Sequence, residues 1–425
     1  MKKIFLLLCF AIFVFQGNAQ SVAHNRCANL QKGINLSNWL EAYWLSNWPV
    51  PGFYTRDFLA EMKNAGMKSV RLPVCFSLVT DTLPPYTVDT ASPVFAIIDS
   101  VITWTHELDM NLIIDNHHQF DLTDSTWRSV QPRLAHLWSV LAQRYSYLDP
   151  EKYYFEILNE PTNITNDSLN ILFTAVIDTI RKYTTTHSLV ASPNAWSEGV
   201  GYYSYTPLND TNLIYTFHSY DPFQFTHQGF TWVTPYLNTG RPYPNSGYDF
   251  LIPFSWQLAT LWRDSFNLPV FLGEFGVGIH PDSVSRCNWI DTVGSLIDYY
   301  HMPSFSWDVR GDFALYNSGV ISEDSVIPCF SIALHLYGNQ AAATENIVGQ
   351  LPVEIFPNPA SNIFTCRTNQ QNQTLLEVMD NTGRKMLEKK FSNQSDVNTE
   401  NWARGLYLVK ITSSNSSSVH KVIIQ

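Results

Sequence analysis

YYFEILNEP (Tyr153–Pro161) and PVFLGEFG (Pro269–Gly276) decide the fold. Each is a short apolar run rich in β-formers that ends on a glutamate, Glu160 or Glu274. A helix breaker follows closely, Pro161 in one case and Gly276 in the other. A strand buried on both faces reads as a near-continuous hydrophobic run, which is the pattern of parallel sheets. A carboxylate at the C-terminal tip of such a strand is where water and substrate can reach it, and in a parallel barrel those tips build the catalytic face.

Working outward, six further runs share this grammar: Lys32–Ser37 (KGINLS), Ser69–Val74 (SVRLPV), Asn111–His118 (NLIIDNHH), Ser188–Pro193 (SLVASP), Asn212–Tyr220 (NLIYTFHSY) and Ser304–Val309 (SFSWDV). Amphipathic helical stretches lie between them. Thr55–Ala65 opens on a Thr55 N-cap, buries Phe58, Leu59 and Met62, and stops at Gly66. Val94–Leu108 repeats the pattern with Phe95, Ile98, Ile102 and Thr105. Eight strands interleaved with helices predict a (β/α)8 TIM barrel over residues 20–337. An open doubly wound sheet lacks support, because no GxGxxG follows any strand.

The flanks read differently. Met1-Lys2-Lys3, the apolar run Ile4–Phe15 and the small residues Gly17-Asn18-Ala19 predict a secretory signal peptide over residues 1–19, too short to span a bilayer. Gly338–Gln350 is small and polar, as a linker is. After it, residues 351–425 carry short strands at Val353–Phe356, Ile363–Arg367, Leu375–Met379, Lys385–Phe391, Gly405–Thr412 and Val419–Ile424, with a turn signal at Asn381-Thr382-Gly383. They predict a small all-β sandwich. Without Cys9 of the signal, Cys27, Cys75, Cys287, Cys329 and Cys366 remain. An odd count leaves at least one thiol unpaired, and the spacings specify no connectivity.

Composition excludes some functions. The net charge is −11 with no Lys/Arg cluster, which argues against nucleic acid or an anionic membrane surface as partner. Aromatic residues make up 14% of the chain. Most belong to a large core, and the rest can be platforms for sugar rings. No CxxC or Cys/His ligand spacing suits zinc, and no metal or cofactor is expected.

Several strand-end residues carry chemistry. Arg71 in the second strand needs an acidic partner if buried, and could fix a nucleophilic carboxylate. His117 and His118 end the third strand, and His218 and Tyr220 end the sixth. A metal trio is the competing reading of these histidines, weakened by the lack of an HExxH pattern; neutral imidazoles and Tyr hydroxyls also bind sugar hydroxyls. Asn159 is either a turn residue or a holder of a sugar 2-hydroxyl. Trp307 is either core or a stacking floor.

GINLSNWLE (Gly33–Glu41), SVRLPV, IIDNHH, ILNEP, FHSYDPFQFTHQG (Phe217–Gly229), LGEFG and SFSWD resemble, in this order, the motifs of glycoside hydrolase family 5, the cellulases and related β-glycanases. The resemblance implies a retaining hydrolase with Glu160 as acid/base and Glu274 as nucleophile. It implies Arg71, His117, His118, Asn159, His218, Tyr220 and Trp307 as the supporting set, and structural or binding roles for Asn35 and Trp39. The implied substrate is a β-glycan polysaccharide or oligosaccharide, most simply an internally cut β-1,4-glucan. Mannan, xyloglucan, mixed-linkage glucan and exo-cleaved β-1,3-glucan stand as alternatives. The long insert from Asp221 to about Pro253 carries Phe223, Phe225, Phe230, Trp232 and Tyr236 and could shape the cleft either way.

The tail motifs IFPNPASNIF (Ile355–Phe364), DNTGRKM (Asp380–Met386) and GLYLVKI resemble the C-terminal sorting domain of the type IX secretion system. That resemblance implies a secretion machinery as second partner and a secreted or cell-surface protein exported through the periplasm; separately, the protein is expected to be a monomer. A carbohydrate-binding sandwich is the weaker alternative, since Trp402 is the module's single Trp. A non-catalytic glycan-binding barrel would have lost one of Glu160, Glu274 or Arg71, and all three are present.

Overall fold

A computed structural model describes residues 21–245, 247–316, 326–336, 353–358, 360–369, 372–380, 385–403, 405–413 and 417–424. The signal peptide, the linker and the Asn381–Gly383 turn lie outside these. The strands β1 (Gly33–Asn35), β2 (Ser69–Val74), β3 (Asn111–Asn116), β4 (Tyr153–Glu156), β5 (Leu189–Ala191), β6 (Leu213–Ser219), β7 (Val270–Phe275) and β8 (Ser304–Ser306) form a closed parallel barrel in sequence order. Around it run α1 (Val22–Asn29), α2 (Arg56–Asn64), α3 (Pro93–Glu107), α4 (Trp127–Tyr145), α5 (Asn166–Ile180), α6 (Phe223–Thr226), α7 (Leu251–Phe266), α8 (Ser283–Tyr300) and α9 (Pro328–Leu334). The Thr55 cap is present, its side chain accepting from the Phe58 amide.

Several strands are shorter than their apolar runs. β4 stops at Glu156, so Glu160 lies beyond the strand on the loop that follows. That loop stays extended because Ile157 donates to the Val190 carbonyl and Asn159 to that of Asn116, each 3.0–3.1 Å.

Inward side chains form layers. The lower one is apolar: Ile113, Tyr154, Val190, Ile214, Phe271 and Phe305 pack with Ala23, Cys27 and Leu30, so α1 plugs the N-terminal end. The upper one is polar and carries Arg71, Asp115, Glu156, Thr216 and His218, all buried. Closure between β1 and β8 pairs Gly33 with Phe305. A Cβ at Gly33 would lie 2.3–2.5 Å from that ring, so the residue is glycine for room. A disulfide, Cys287–Cys329, ties α8 to α9, while Cys27, Cys75 and Cys366 are buried free thiols. No helix among the described residues is long and apolar enough to cross a membrane.

The C-terminal module has two sheets, in the orders β13-β10-β9 and β12-β11-β14-β15. The strands are β9 (Val353–Phe356), β10 (Ile363–Thr368), β11 (Thr374–Asp380), β12 (Lys385–Phe391), β13 (Gln394–Asn398), β14 (Gly405–Thr412) and β15 (Ser417–Ile424). They share a core that includes Phe364, Leu376, Val397, Val409 and Val422. β13 escaped the sequence reading because its segment, QSDVN, is polar and buries only Val397. Trp402 is partly buried against Tyr407, 4.9 Å between rings, and is no open platform.

Gly33→Ala is expected to cost about 1–3 kcal/mol by overpacking, read as a lower urea midpoint, and Phe305→Leu in the same chain should recover part of the loss.

Candidate active site

The barrel mouth is organised by one guanidinium. Arg71 is fully buried, and each of its five N–H donors has an acceptor. Nε and Nη2 hold the two oxygens of Glu156 at 2.7 and 2.8 Å. Nη1 donates to Asn35 Oδ1 (2.9 Å) and to Glu274 Oε1 (2.7 Å). Nη2 also donates to Asn159 Oδ1 (2.6 Å) and lies 3.1 Å from Asp115 Oδ2. Burial works against the cation, but three carboxylates outweigh it and hold the arginine charged.

Glu274 reaches the mouth through a β-bulge. Thr216 and Phe217 pair with Phe271 and Leu272, but His218 pairs with Glu274, which leaves Gly273 unmatched. Bulges re-aim a side chain at the cost of a ladder bond. Here the freed Gly273 carbonyl is satisfied by Asn35 Nδ2 at 3.1 Å. A side chain at Gly273 would strike Thr216 Oγ1 at 2.4 Å and the His218 ring at 3.0 Å. Asn35 thus supports the bulge with its amide and Arg71 with its oxygen. Tyr220 donates to Glu274 Oε2 at 2.9 Å, so each carboxylate oxygen is held by a different donor.

Glu160 has fewer partners. Its Oε1 lies 2.6 Å from His218 Nδ1, and its side chain stays 23% exposed. His218 Nδ1 is also 3.6 Å from Glu274 Oε2, while its Nε2 is buried without a partner. A lone pair without a partner costs less than an N–H without one, so the proton belongs on Nδ1, facing both glutamates. Burial lowers His218 to about 4, and the ring is neutral. Burial pushes Glu274 up to about 7, with His218 and Arg71 pulling it down. Burial also pushes Glu160 up, to about 8, with only distant help from Arg71 and opposition from Asp115 and Glu156. One oxygen or nitrogen from each of Glu160, His218 and Glu274 falls within 4.8 Å of the others. Such a donor set could hold a divalent ion, and it equally suits two carboxylates flanking one bond.

The other expected residues sort by distance from this pair. His117 Nδ1 bonds Asp115 Oδ2 at 2.6 Å, and its ring lies parallel to Trp307, 5.5 Å away and 8° apart. Asn159, its oxygen on Arg71, turns Nδ2 toward His117 Nε2 at 3.5 Å. His118 sits one ring further out, stacked on Phe120 at 5.2 Å. Trp39 is not at the mouth. It is buried against Tyr54, with its indole donating to the Val50 carbonyl at 2.7 Å, so the structural role is the one that fits.

Glu156 and Asp115 were not foreseen from sequence as partners of Arg71. The signal was there: an acid at an inward position of an otherwise apolar strand demands a buried cation. Nor was the loop after β5 foreseen, where Ala195, Trp196 and Ser197 have φ of 61°, 59° and 56°. The left-handed backbone costs about 1–2 kcal/mol per residue. The Ser197 hydroxyl donates to the Asn159 carbonyl at 2.6 Å and its carbonyl accepts from His218 N at 2.8 Å, which fixes both neighbours of Glu160. Part of the insert after β6 packs Phe230 and Val233 with Phe313, against Tyr220 and Trp307.

Arg71→Met should cost about 3–5 kcal/mol in urea unfolding, because the carboxylates around it stay buried without a cation. The same variant should raise the Glu274 pKa further and move the acid limb of any rate profile to higher pH.

Residues 24–312 match the family model described as cellulase (glycosyl hydrolase family 5), and residues 354–425 match that of the secretion system C-terminal sorting domain. Endoglucanase 3 of Fibrobacter succinogenes is 27% identical over 355 residues, covering 69% of this chain and 51% of that protein. Endoglucanase H of Acetivibrio thermocellus is 29% identical over 305 residues, covering 69% and 32%. The chain therefore spans about half and about a third of the length of these two curated relatives. Among solved structures, a hyperthermophilic endo-β-1,4-glucanase in complex with substrate matches with a TM-score of 0.67 at 28% identity, covering 74% of this chain and 99% of that one. An endoglucanase of Thermotoga maritima, whose structures include complexes with cellobiose and with mannotriose, matches at 0.66 and 27%, covering 73% and 99%. A closed eight-stranded barrel and a family match over most of its length agree: the chain belongs to glycosyl hydrolase family 5 and ends in a secretion system sorting domain.

Proposed function

We propose that this protein is an exported endoglucanase that cuts internal β-1,4 linkages of glucan with retention of configuration. The observation that carries the reading is the pairing of Glu160 and Glu274, with oxygens within 4.8 Å and unlike surroundings. Retaining glycosidases hold their carboxyl groups about 5–5.5 Å apart, and inverting ones about 6.5–9.5 Å. Glu274, held by Arg71 and Tyr220, attacks the anomeric carbon while Glu160, the higher of the two in pKa, gives its proton to the leaving oxygen. The glycosyl–Glu274 ester forms as the glycosidic C–O bond breaks. His218 Nδ1–H then stabilises the Glu160 carboxylate. Water enters in place of the aglycone, Glu160 takes its proton, and the ester opens with the sugar in its starting configuration.

In this reading residues 20–337 are the catalytic unit and residues 351–425 the address for secretion, reached by way of the periplasm, and the enzyme works as a monomer. Cleavage of mannan is the second reading, favoured by the mannotriose complex of the Thermotoga endoglucanase.

The test is reducing-sugar release from carboxymethylcellulose, lichenan, laminarin, mannan and xyloglucan, with anomeric product NMR. Carboxymethylcellulose and lichenan should be the best substrates, with β-product formed first. Glu274→Gln should lose at least about 10³-fold in kcat; activity surviving in that variant sinks the mechanism. Because Glu274 must be ionised and Glu160 protonated, kcat/KM should follow a bell with its acid limb near pH 7 and its alkaline limb near pH 8. The two limbs belong to the coupled pair. Glu160→Gln should abolish the alkaline limb and cost about 10²–10⁴-fold on glucan, far less on an aryl glycoside with a good leaving group.

A further inference from the structure

The N-terminal face of the barrel, at the far end from the two glutamates, gathers lysines that the sequence keeps apart. Residues 20–337 contain five: Lys32, Lys63, Lys68, Lys152 and Lys182. Lys63, Lys68 and Lys152 line one recess of about 610 Å³ beside the end of α1, together with Asp109, Asn111 and Glu151. The barrel ladder brings them together. Lys32 leads into β1, Lys68 into β2 and Lys152 into β4. Lys68 N donates to the Lys32 carbonyl and Asn111 N to the Lys68 carbonyl, each at 3.0 Å, and Leu112 N donates to the Lys152 carbonyl at 2.8 Å.

Internal pairing leaves positive charge over. The Asp109 carboxylate takes Lys152, and Glu151 is held by Arg26 at 2.6 and 3.0 Å. Lys63 donates to the Asp109 carbonyl at 2.8 Å, and Lys32 to the His335 carbonyl at 3.2 Å, so neither meets a carboxylate there. Lys68 is exposed and has no side-chain partner among the described residues. Lys32 and Lys68 also stand side by side on neighbouring strands, and like charges so placed repel. Burial, and then Lys68, pull the Lys32 ammonium below its ordinary value. Lys63 lies in the last turn of α2, where the helix dipole alone favours a cation. That reason does not extend to Lys32 or Lys68, which lead into strands. Three ammonium groups without a carboxylate, in and beside one recess, call for an anion of more than one charge. A phosphate group carries nearly two charges at neutral pH and offers several acceptor oxygens, and lysine binds it as a point charge.

We propose that the recess on the N-terminal face, edged by Lys32, Lys63 and Lys68, is a binding site for a phosphate group, free or on a lipid headgroup. The site is independent of the glucanase reading. It is tested by thermal unfolding of the full chain in potassium phosphate and in potassium chloride at matched pH and ionic strength. Phosphate should raise the wild-type midpoint about 2–4 °C above chloride and reach a plateau with concentration, as a site does. Exclusion of phosphate from the protein surface at large would stabilise every variant alike and would not saturate. Lys68→Gln and Lys63→Gln should lose the increment, and Lys182→Gln, outside the recess lining, should keep it. Lys68 is exposed and unpartnered, so its variant should match the wild-type midpoint in chloride, which reports an intact fold. Co-sedimentation with vesicles of phosphatidylcholine and phosphatidic acid, lost in Lys68→Gln, assigns the phosphate to a headgroup; the thermal increment without it assigns a free anion. An increment that survives in Lys68→Gln overturns the site. So does a wild type that shows neither the increment nor vesicle binding.

Discussion

One buried cation with five hydrogen bonds holds the top of this barrel together. Arg71 on β2 reaches Asn35 on β1, Glu156 on β4, Asn159 after β4 and Glu274 on β7, and sits beside Asp115 on β3. A charge in this position is costly unless every donor is met and opposite charge surrounds it. Meeting that demand joins strands that are distant in sequence and places the Glu274 carboxylate and its neighbours in one arrangement. The apolar lower layer closes the barrel. The arginine decides where its polar groups point.

The two glutamates gain unlike character from this arrangement. Both are desolvated, and burial raises both. Glu274 then receives Arg71 and Tyr220, one donor on each oxygen, whereas Glu160 receives only His218 and keeps an opening to solvent. Direct cationic contact favours the ionised form of Glu274 more than that of Glu160. The difference in partners, more than a difference in burial, sets Glu160, the proposed acid, apart from Glu274, the proposed nucleophile. The Gly273 bulge makes it possible, because an unbulged β7 would set Gly273 opposite His218 in place of Glu274.

Supporting elements sit behind this pair. The left-handed turn at Ala195–Ser197 costs backbone energy and repays it with hydrogen bonds to the Asn159 loop and to β6. The insert after β6, an aromatic-rich stretch that the sequence allowed to shape the cleft either way, places Phe230 and Val233 behind Tyr220 and Trp307. A second tie joins the β1 and β8 loops, where Asn38 Nδ2 bonds Asp308 Oδ2 at 2.9 Å and the Arg310 carbonyl at 2.7 Å. Burial raises Glu41 and Asp308 in this region to about 8.

Much of the fold was legible because it is local. The apolar runs, the Thr55 cap and the alternation of strand and helix follow from periodicity and steric preference within a few residues, and the order of the strands follows from the order of the runs. Glu160, Glu274 and Arg71 stood out for the same reason, as charges set in apolar strands. Partnership was not legible. The strand ends, the polar β13, the burial of Trp39, the Cys287–Cys329 pairing and the demands that Glu156 and Asp115 meet all depend on residues distant in the chain. The chain by itself determined which elements form and which side chains carry charge. Only the closed barrel decided which charges meet, because a hydrogen bond across β1, β4 and β7 exists once those strands share one interior and nowhere before.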